Sequence, residues 1–287
     1  MVYNTAVFSR PRIPNILNYG NPLTKDLNGC WPLWDEISYR TFSGGDRERY
    51  AEVTRLSTQA KVQDGLIGSR ILRRGPFGSS MDTTASGSPI RADDQGQLSH
   101  RPARALTVAC WVRVSAFLNT YNIFVSTRSN GNGHGWSISV KNDGTLLTDI
   151  ITGGSNRAIG SAVGLISTNT WYHVAATYDG KTQKLFRNGV NVATTVYGTV
   201  QRFSGSIIDY DSATNNPLTV GKQANASESI HAQFNMVLSY DRILSEHEIN
   251  QLYTNPMQLF YTSEEEEEPF ILDPSISGGD ANMLMIF

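Results

Sequence analysis

The sequence predicts an all-β protein whose antiparallel strands stack as a sandwich, and the first observation behind this is a pair of hairpin turns. Residues 170–178 are rich in aromatic and β-branched residues, as strands are, and the run ends at Asp179-Gly180. A second strand begins over 183–186, and a third follows Asn188-Gly189. Asp-Gly and Asn-Gly tolerate positive φ and close tight hairpins. These three strands therefore predict a meander.

The second observation is a regular alternation that begins at Ala105. Because successive strand residues point to opposite sheet faces, a strand here presents two different rows. One row holds Leu106, Val108, Cys110, Val112 and Val114, and the other holds Thr107, Ala109, Trp111 and Arg113. The first row is suited to full burial and the second to partial burial. The segment is therefore predicted to be a central strand of its sheet.

The third observation is the short, steady spacing of turn signals. Strands are predicted at 122–127, 135–141 and 146–151, and turn-forming residues fill 129–134 and 142–144. No long amphipathic helix separates these strands, so parallel βαβ units are not expected. Such spacing is typical of a β-sandwich.

Length and composition limit the classes of protein to consider. The chain has 287 residues, enough for one large all-β domain with extensions or for two small domains. Its formal net charge of -2 gives no electrostatic reason to expect a nucleic acid or an anionic membrane as partner. No apolar run resembles a secretory signal or reaches the length of a membrane span. We therefore expect a soluble chain without a signal peptide that binds neither nucleic acid nor membrane.

The two cysteines, Cys30 and Cys110, each precede a tryptophan at a predicted strand position. Two thiols cannot supply a four-ligand zinc site. We interpret both as small buried core residues, with a disulfide or a reactive role as the alternative.

The two ends of the chain differ in character from its middle. Residues 1–20 contain Pro11 and Pro14 and no helical period, which predicts an extended arm before a domain at 21–256. The tail, 257–287, contains five consecutive glutamates and then an apolar end. Burial of apolar tail residues would contribute about 1.5–3 kcal/mol each and could anchor the tail on a neighbour. The predicted assembly contacts are Arg10, Arg12, Ile13, Leu284, Ile286 and Phe287.

Four ordered motifs resemble the laminin-G-like domains of the concanavalin A-like lectin/glucanase family. Residues 106–112 are similar to that family's FTVSAWV strand, and 171–189 are similar to its WYHVA, YDG and LYVNG motifs. Residues 217–221 resemble PLTIG, and 240–249 resemble the closing YNRALSAEEI, where a last strand leads into a short helix. The resemblance implies a jelly roll of two stacked antiparallel sheets. It does not choose a function, because this fold carries lectins, hydrolases and adhesion modules.

Two further segments narrow the expected function. Residues 252–260 resemble the ends of laminin-G-like proteins of tailed bacteriophages, and 21–27 resemble their usual lead-in. The resemblance implies a virion structural protein that decorates or cements a capsid or forms a surface fibre. Its partners would be copies of itself and other capsid or virion proteins, and its outward surface could meet host glycans. A carbohydrate-binding module is the alternative.

Candidate glycan ligands are exposed aromatic residues with amides or carboxylates at loop tips. Two groups fit this description, and the sequence does not choose between them. They are Tyr121 and Trp136 with Asn130 and Asn132, and Tyr210 with Asp209 and Asp211.

Catalysis and metal binding have weaker support in the sequence. Retaining glycosidases of this fold use a Glu-x-Asp-x-(x)-Glu strand, which is missing here, and His173 is interpreted as a structural core residue. We therefore expect no enzyme activity and no cofactor. The segment 206–216 offers Asp209, Asp211, Asn215 and Asn216 for a structural calcium ion, but such residues are also ordinary turn formers. The family's usual acidic pair before the last strand falls on Asn235 and Met236, which weakens a calcium site.

Overall fold

The computed structural model describes residues 17–31, 33, 49–50, 60–62, 72–84, 90–92, 101–128, 134–197, 207–210, 218–223 and 228–260. Within these ranges strands are the predominant regular structure. The strands are β1 (Leu27–Trp31), β2 (Arg49–Tyr50), β3 (Ala60–Val62), β4 (Leu72–Gly75), β5 (Gly78–Asp82), β6 (Ile90–Ala92), β7 (Leu106–Phe117), β8 (Tyr121–Ser126), β9 (Trp136–Lys141), β10 (Leu146–Thr152), β11 (Ser155–Gly160), β12 (Trp171–Tyr178), β13 (Gln183–Arg187), β14 (Val190–Asn191), β15 (Thr195–Tyr197), β16 (Thr219–Val220) and β17 (Ile230–Tyr240). Helix α1 spans Glu246–Thr254, and short 3-10 helices span Pro22–Thr24 and Pro256–Leu259.

The strands form two antiparallel sheets. The back sheet has the order β14-β13-β12-β7-β17-β5-β4, and β1 also pairs with β17. The front sheet has the order β15-β11-β10-β9-β8-β16-β6-β3-β2. Non-consecutive neighbours such as β7 and β17 mean that the chain crosses repeatedly between the sheets. The predicted two-sheet sandwich is confirmed.

The alternation in β7 explains how the sheets pack. Its neighbours are β12 and β17, so the prediction of a central strand is confirmed. Val108, Cys110 and Val112 face the front sheet and lie in the sandwich core, together with Trp136 and Ile138 of β9. All five side chains are almost fully buried.

The predicted meander is formed by β12, β13 and β14. Asn188 and Gly189 separate Arg187 from Val190, and both have positive φ, 52° and 77°. Two consecutive positive φ values are those of the type I′ turn, which joins strands of right-handed twist. The short third strand is therefore held by the turn that the sequence predicts.

A second cluster, the outer core, covers the outward surface of the back sheet. Ala109 and Phe186 of the sheet pack there with Ile249 and Leu252 of α1. The helix begins with a capping box, in which the Ser245 side chain accepts from the Glu248 backbone and the Glu248 carboxylate accepts from the Ser245 N–H. The predicted last strand followed by a short helix is confirmed.

The described chain ends meet in the outer core. Leu17 pairs with Phe260, and both side chains are 2% exposed. The Asn18 N–H donates to the Leu259 carbonyl at 2.8 Å, and Asn21 Nδ2 donates to the Gln258 carbonyl at 2.9 Å. Residues 17–20 of the predicted arm and 257–260 of the predicted tail therefore belong to the packed domain. Burial of their apolar side chains joins both ends to the back sheet. Residues 1–16 and 261–287 lie outside the described residues.

The two cysteines form no disulfide and are buried on opposite faces of the back sheet. Cys30 lies in the outer core and Cys110 in the sandwich core. Burial raises the pKa of the Cys110 thiol far above its usual range. The interpretation of both as core residues is confirmed. None of the described helices is long and apolar enough to cross a membrane.

Candidate functional site

The outward surface of the front sheet carries a polar row. In β9, Trp136, Ile138 and Val140 face the sandwich core, so Ser137, Ser139 and Lys141 face outward. The outward neighbours of the two serines on β10 are Asp149 and Leu147, since Ser137 pairs with Asp149 and Ser139 with Leu147. We call this surface the front face.

Asp149 is the central charged group of the front face. It lies in the strand Leu146–Thr152, among apolar residues that are almost fully buried. Its carboxylate accepts from Asn156 Nδ2 at 3.1 Å and from Ser137 Oγ at 3.4 Å. The Arg128 guanidinium is 3.9 Å away, and the two side chains are only 13% and 9% exposed.

Burial raises the pKa of Asp149 above its ordinary value, against the opposing effects of the Arg128 charge and the two hydrogen bonds. The environment therefore stabilises the ionised carboxylate less well than water does. Further hydrogen-bond donors would stabilise the ionised Asp149 carboxylate. Such a carboxylate, on an outward-facing strand position, is unusual for a purely structural residue.

Two tyrosines meet above this surface. The hydroxyl oxygens of Tyr121 on β8 and Tyr197 on β15 are 3.1 Å apart, and their rings are edge to face with centroids 6.5 Å apart. Strands β9, β10 and β11 lie between β8 and β15 in the sheet. The hydrogen bond with Tyr197 chiefly raises the pKa of Tyr121, and the negative charge of Asp149 adds to this effect. The tyrosine pair therefore lies near the Asp149 carboxylate.

Lys141 completes the cluster. Its ammonium group is 2.8 Å from the Asp143 carboxylate and 5.6 Å from the centroid of the Tyr197 ring. The hydrogen bond from Lys141, with further ones from Thr145, lowers the pKa of Asp143 to about 2. The lysine charge is therefore compensated at neutral pH.

The front face thus combines aromatic rings, hydroxyl groups, an amide and a carboxylate. Tyr121 and Tyr197 remain 38% and 37% exposed, so their rings can be reached from solvent. A few fixed polar groups beside aromatic surface can orient a small hydroxyl-bearing ligand.

The structure corrects the predicted aromatic groups. Tyr121 lies on the front face, but Trp136 is 1% exposed and lies in the sandwich core at the opposite end of β9, so the predicted pairing of these two residues is wrong. Tyr210 packs against the same core and its hydroxyl donates to the Pro102 carbonyl. Trp136 is therefore not an exposed platform, and the Tyr210 ring is half-buried against the core.

Asp209 has a local structural contact. Its carboxylate accepts from the Gly154 N–H at 2.7 Å, which ties it to the turn between β10 and β11. Within the ranges that the structure describes, no three His, Cys, Asp or Glu side chains cluster closely enough to hold a metal ion. Asn130, Asn132 and Asp211 lie outside the described residues, as do Asn215, Asn216 and the predicted assembly contacts Arg10, Arg12, Ile13, Leu284, Ile286 and Phe287.

His173 lies in the core strand where the sequence predicts it. The side chain is 1% exposed, and its ring packs beside the stacked rings of Trp111 and Tyr253, with centroids 5.5 Å and 6.1 Å away. Burial lowers the pKa of His173 to about 3, so the imidazole is neutral at neutral pH.

Sequence reasoning missed Asp149, Tyr197 and Arg128. A signal for Asp149 was present, because it is the one charged residue in the apolar strand sequence LLTDIIT. A charged residue in such a run needs a polar partner. Tyr197 had no comparable signal, since its contact with Tyr121 depends on the curvature of the whole sheet.

The sequence profile described as the concanavalin A-like lectin/glucanases superfamily, a laminin-G type, matches residues 84–250. This is more than half of the 287 residues. The chain belongs to this superfamily. No curated protein sequence matches the chain significantly.

Solved structures of this superfamily fold resemble the chain at low sequence identity. The binding domain of Paraclostridial Mosquitocidal Protein 1 gives a TM-score of 0.56 at 18% identity, over 80% of this chain and 52% of that one. The binding domain of botulinum neurotoxin DC, solved with rat synaptotagmin II, gives 0.55 at 14% identity, over 82% and 52%. Trypanosoma rangeli sialidase gives 0.53 at 13%, over 81% and 33%. The chain spans about half or less of these proteins, and the similarity shows the fold alone.

Proposed function

We propose that this superfamily member is a non-catalytic adhesion protein that binds a glycan on its front face. The observation that carries the proposal is that the chain ends and the candidate site lie on opposite sides of the sandwich. Leu17 and Phe260 meet in the outer core on the back sheet, whereas Asp149 and the tyrosine pair face outward from the front sheet. The described ends of the chain, Leu17 and Phe260, therefore lie on the side opposite the candidate site, as an adhesin requires if its ends are held by an assembly.

The proposed setting is a virion, where the protein decorates or cements a capsid or forms part of a surface fibre. The two segments that resemble bacteriophage proteins, 21–27 and 252–260, contact each other, because Asn21 Nδ2 donates to the Gln258 carbonyl at 2.9 Å. Arg242, which precedes α1, also donates to the Lys25 and Pro22 carbonyls. Together with the Leu17 and Phe260 pairing, these contacts form one fixed base for the arm and the tail. We propose that arm and tail bind neighbouring copies or other virion proteins.

The absence of glycosidase activity is part of the proposal. Glycosidases generally use two carboxyl groups about 5–10 Å apart. The described partners of the Asp149 carboxylate are the Arg128 guanidinium, 3.9 Å away, and the Asn156 amide and Ser137 hydroxyl, which donate to it. Asp149 therefore has the surroundings of a hydrogen-bond acceptor. Turnover of a bound glycan that Asp149→Asn abolishes would contradict this part.

A glycan array tests the binding function. We expect the wild-type protein to bind a subset of glycans and Tyr121→Ala to weaken this binding about tenfold or more, since an exposed aromatic ring is lost from the site. The matched control is Tyr19→Ala, because Tyr19 is also exposed, at 47%, but lies beside the outer core. Equal losses in both variants, or no bound glycan, would contradict the proposal.

Particle incorporation tests the virion role separately. A chain trimmed to residues 17–260 retains Leu17 and Phe260 and should keep the circular dichroism and melting temperature of the full chain. We expect the full chain, and not the trimmed chain, to co-purify with particles of the virus that encodes it, as measured by mass spectrometry. Normal incorporation of the trimmed chain would contradict the role of arm and tail.

A further inference from the structure

One edge of the front sheet can accept a further strand. Within the described ranges β15 (Thr195–Tyr197) pairs with β11 alone, so the backbone groups on its other side have no strand partner there. All three residues of β15 are exposed, including Val196 at 54% and Tyr197 at 37%. The unpaired N–H and C=O groups of such an edge are a template for an extended segment.

Val196 lies on the side of β15 that faces the sandwich core. It pairs with Ile159 of β11, whose side chain packs against that core, and paired residues of neighbouring strands share one sheet face. A valine on this face is normally buried, yet more than half of Val196 is exposed. The rim of the core is therefore open beside β15, and a strand with apolar side chains would close it.

The edge lacks the residues that keep natural edge strands apart. Lysine and other charged residues, or proline, usually prevent pairing at an exposed edge. Residues 188–201, which contain β14 and β15, include no charged residue and no proline. An uncharged segment therefore meets no repulsion at this edge, whereas a charged one would lose solvation without gaining an ion pair.

The end of the tail has the composition that this edge requires. Residues 283–287 have the sequence MLMIF, which is uncharged and apolar on both faces of a strand. One row of side chains would cover Val196, and the other would lie beside Tyr197. The five glutamates at 264–268 come earlier in the tail and stay outside such a pairing.

The tail is also long enough to reach a neighbouring copy. Residues 283–287 follow Phe260 by 23–27 positions, and an extended chain of that length spans about 75–90 Å. Phe260 lies in the outer core, on the side of the back sheet away from β15, so the tail begins facing away from the edge of its own molecule. The arm, residues 1–16, spans only about 50 Å and carries Arg10 and Arg12.

We propose that the apolar end of the tail, residues 283–287, adds a strand to β15 of a neighbouring copy of this chain. This inference rests on the proposed role of the tail in assembly and names the surface that receives it. Tail and edge are different surfaces, so the contact is head to tail, and each copy donates one tail and receives another. Repetition of such a contact gives a closed ring or an open fibre.

Sedimentation velocity of the full-length chain tests this contact with three variants. Val196→Lys places a charge at the edge, and Ile286→Asp places one in the tail. The control is Val163→Lys, because Val163 is also an exposed valine, at 71%, but lies between β11 and β12. We expect wild type and control to form oligomers as the concentration rises, and the other two variants to associate at least tenfold more weakly.

An equimolar mixture of the two weakened variants gives the sharpest result. Ile286→Asp keeps an intact edge and Val196→Lys keeps an intact tail, so the mixture should form dimers that neither variant forms alone. Growth stops at the dimer, because its remaining edge and tail are both altered. Oligomers that survive Ile286→Asp, a mixture that stays monomeric, or a wild type that is monomeric at every concentration would each overturn the proposal.

The edge variant should fold normally. Val196 is more than half exposed, so Val196→Lys should keep the melting temperature within about 2 °C of wild type. Thr195→Lys, at the next exposed position of the same edge, is a second variant that should weaken the association as strongly. Full association of a folded Thr195→Lys variant would contradict pairing at β15.

Particle incorporation separates this inference from the proposed function. We expect particles in which every copy carries Val196→Lys to contain much less of the protein than wild-type particles do. Normal incorporation of Val196→Lys together with loss of the chain trimmed to 17–260 would mean that the ends bind another virion protein, and would overturn this inference alone. Normal incorporation of both would overturn the assembly role of the tail as well.

Discussion

The hydroxyl groups of Tyr121 and Tyr197 are in hydrogen-bond contact at 3.1 Å, although three strands separate the two residues in the front sheet. The distance across three intervening strands in a flat sheet would be about 19 Å between backbones, given the usual spacing of about 4.8 Å. The sheet must therefore curve so that its outward surface is concave.

The tyrosine contact predicts an energetic coupling. Tyr121→Phe and Tyr197→Phe should each lower the free energy of unfolding by about 0.5–1 kcal/mol, and the double variant should lose little more than either single one. Urea denaturation of the three variants and the wild type measures the coupling. Strictly additive losses would show that the hydroxyl groups do not interact in solution.

The Asp149 carboxyl group predicts a pH effect on stability. Because its pKa is raised in the folded state, the folded protein binds this proton more tightly than the unfolded chain does. The group therefore opposes folding increasingly as pH rises from its ordinary pKa of 3.8 through the raised value, and the penalty is constant above that. The stability of wild type relative to Asp149→Asn should fall across this interval in urea denaturation at several pH values. A relative stability that rises with pH there would contradict the burial of the charge.

His173 predicts the opposite slope in a separate pH window. Its pKa of about 3 in the folded state lies below the ordinary 6.5. Between these two pH values the imidazole is therefore protonated in the unfolded chain and neutral in the folded protein. Stability from this residue is complete above pH 6.5 and declines as pH falls towards 3, by up to about 1.4 kcal/mol per pH unit. His173→Leu should lose this part of the acid sensitivity, whereas His247→Leu, at an exposed position on α1, should retain it.

The cysteines predict slow chemistry in the folded protein. Cys30 and Cys110 are fully buried, and burial raises the pKa of the Cys110 thiol. The reactive thiolate is therefore scarce and shielded. A colorimetric thiol reagent should detect no fast-reacting thiol in the native protein and two after unfolding in urea. A thiol that reacts within seconds under native conditions would contradict the core position of its cysteine.

The sequence was sufficient to predict the architecture because its patterns are local. The alternation over Leu106–Phe117 identifies a central strand, and Asn188-Gly189 identifies the turn that joins β13 to β14. The motif that leads from Tyr240 into α1 identifies the last strand and the helix that follows it. Each of these signals depends on neighbours within a few residues of the chain.

The candidate site could not be predicted in the same way. Tyr121, Asp149 and Tyr197 come from strands far apart in the sequence, and they meet only when the front sheet is complete and curved. The prediction for Trp136 was wrong because the local sequence of an aromatic residue beside a polar loop does not show whether its ring faces the core or the solvent. The face of β9 on which it lies is fixed by packing against the back sheet.

The central claim is that a glycan binds on the front face, and NMR spectroscopy of ring-labelled tyrosines tests it most directly. The signals of Tyr121, Tyr197 and Tyr19 are assigned from their Phe variants, and the best-binding array glycan is then titrated into the wild-type protein. The account predicts that the Tyr121 and Tyr197 signals shift together and saturate with the binding constant, while Tyr19 stays unchanged. Shifts at Tyr19 with none at the tyrosine pair would contradict it.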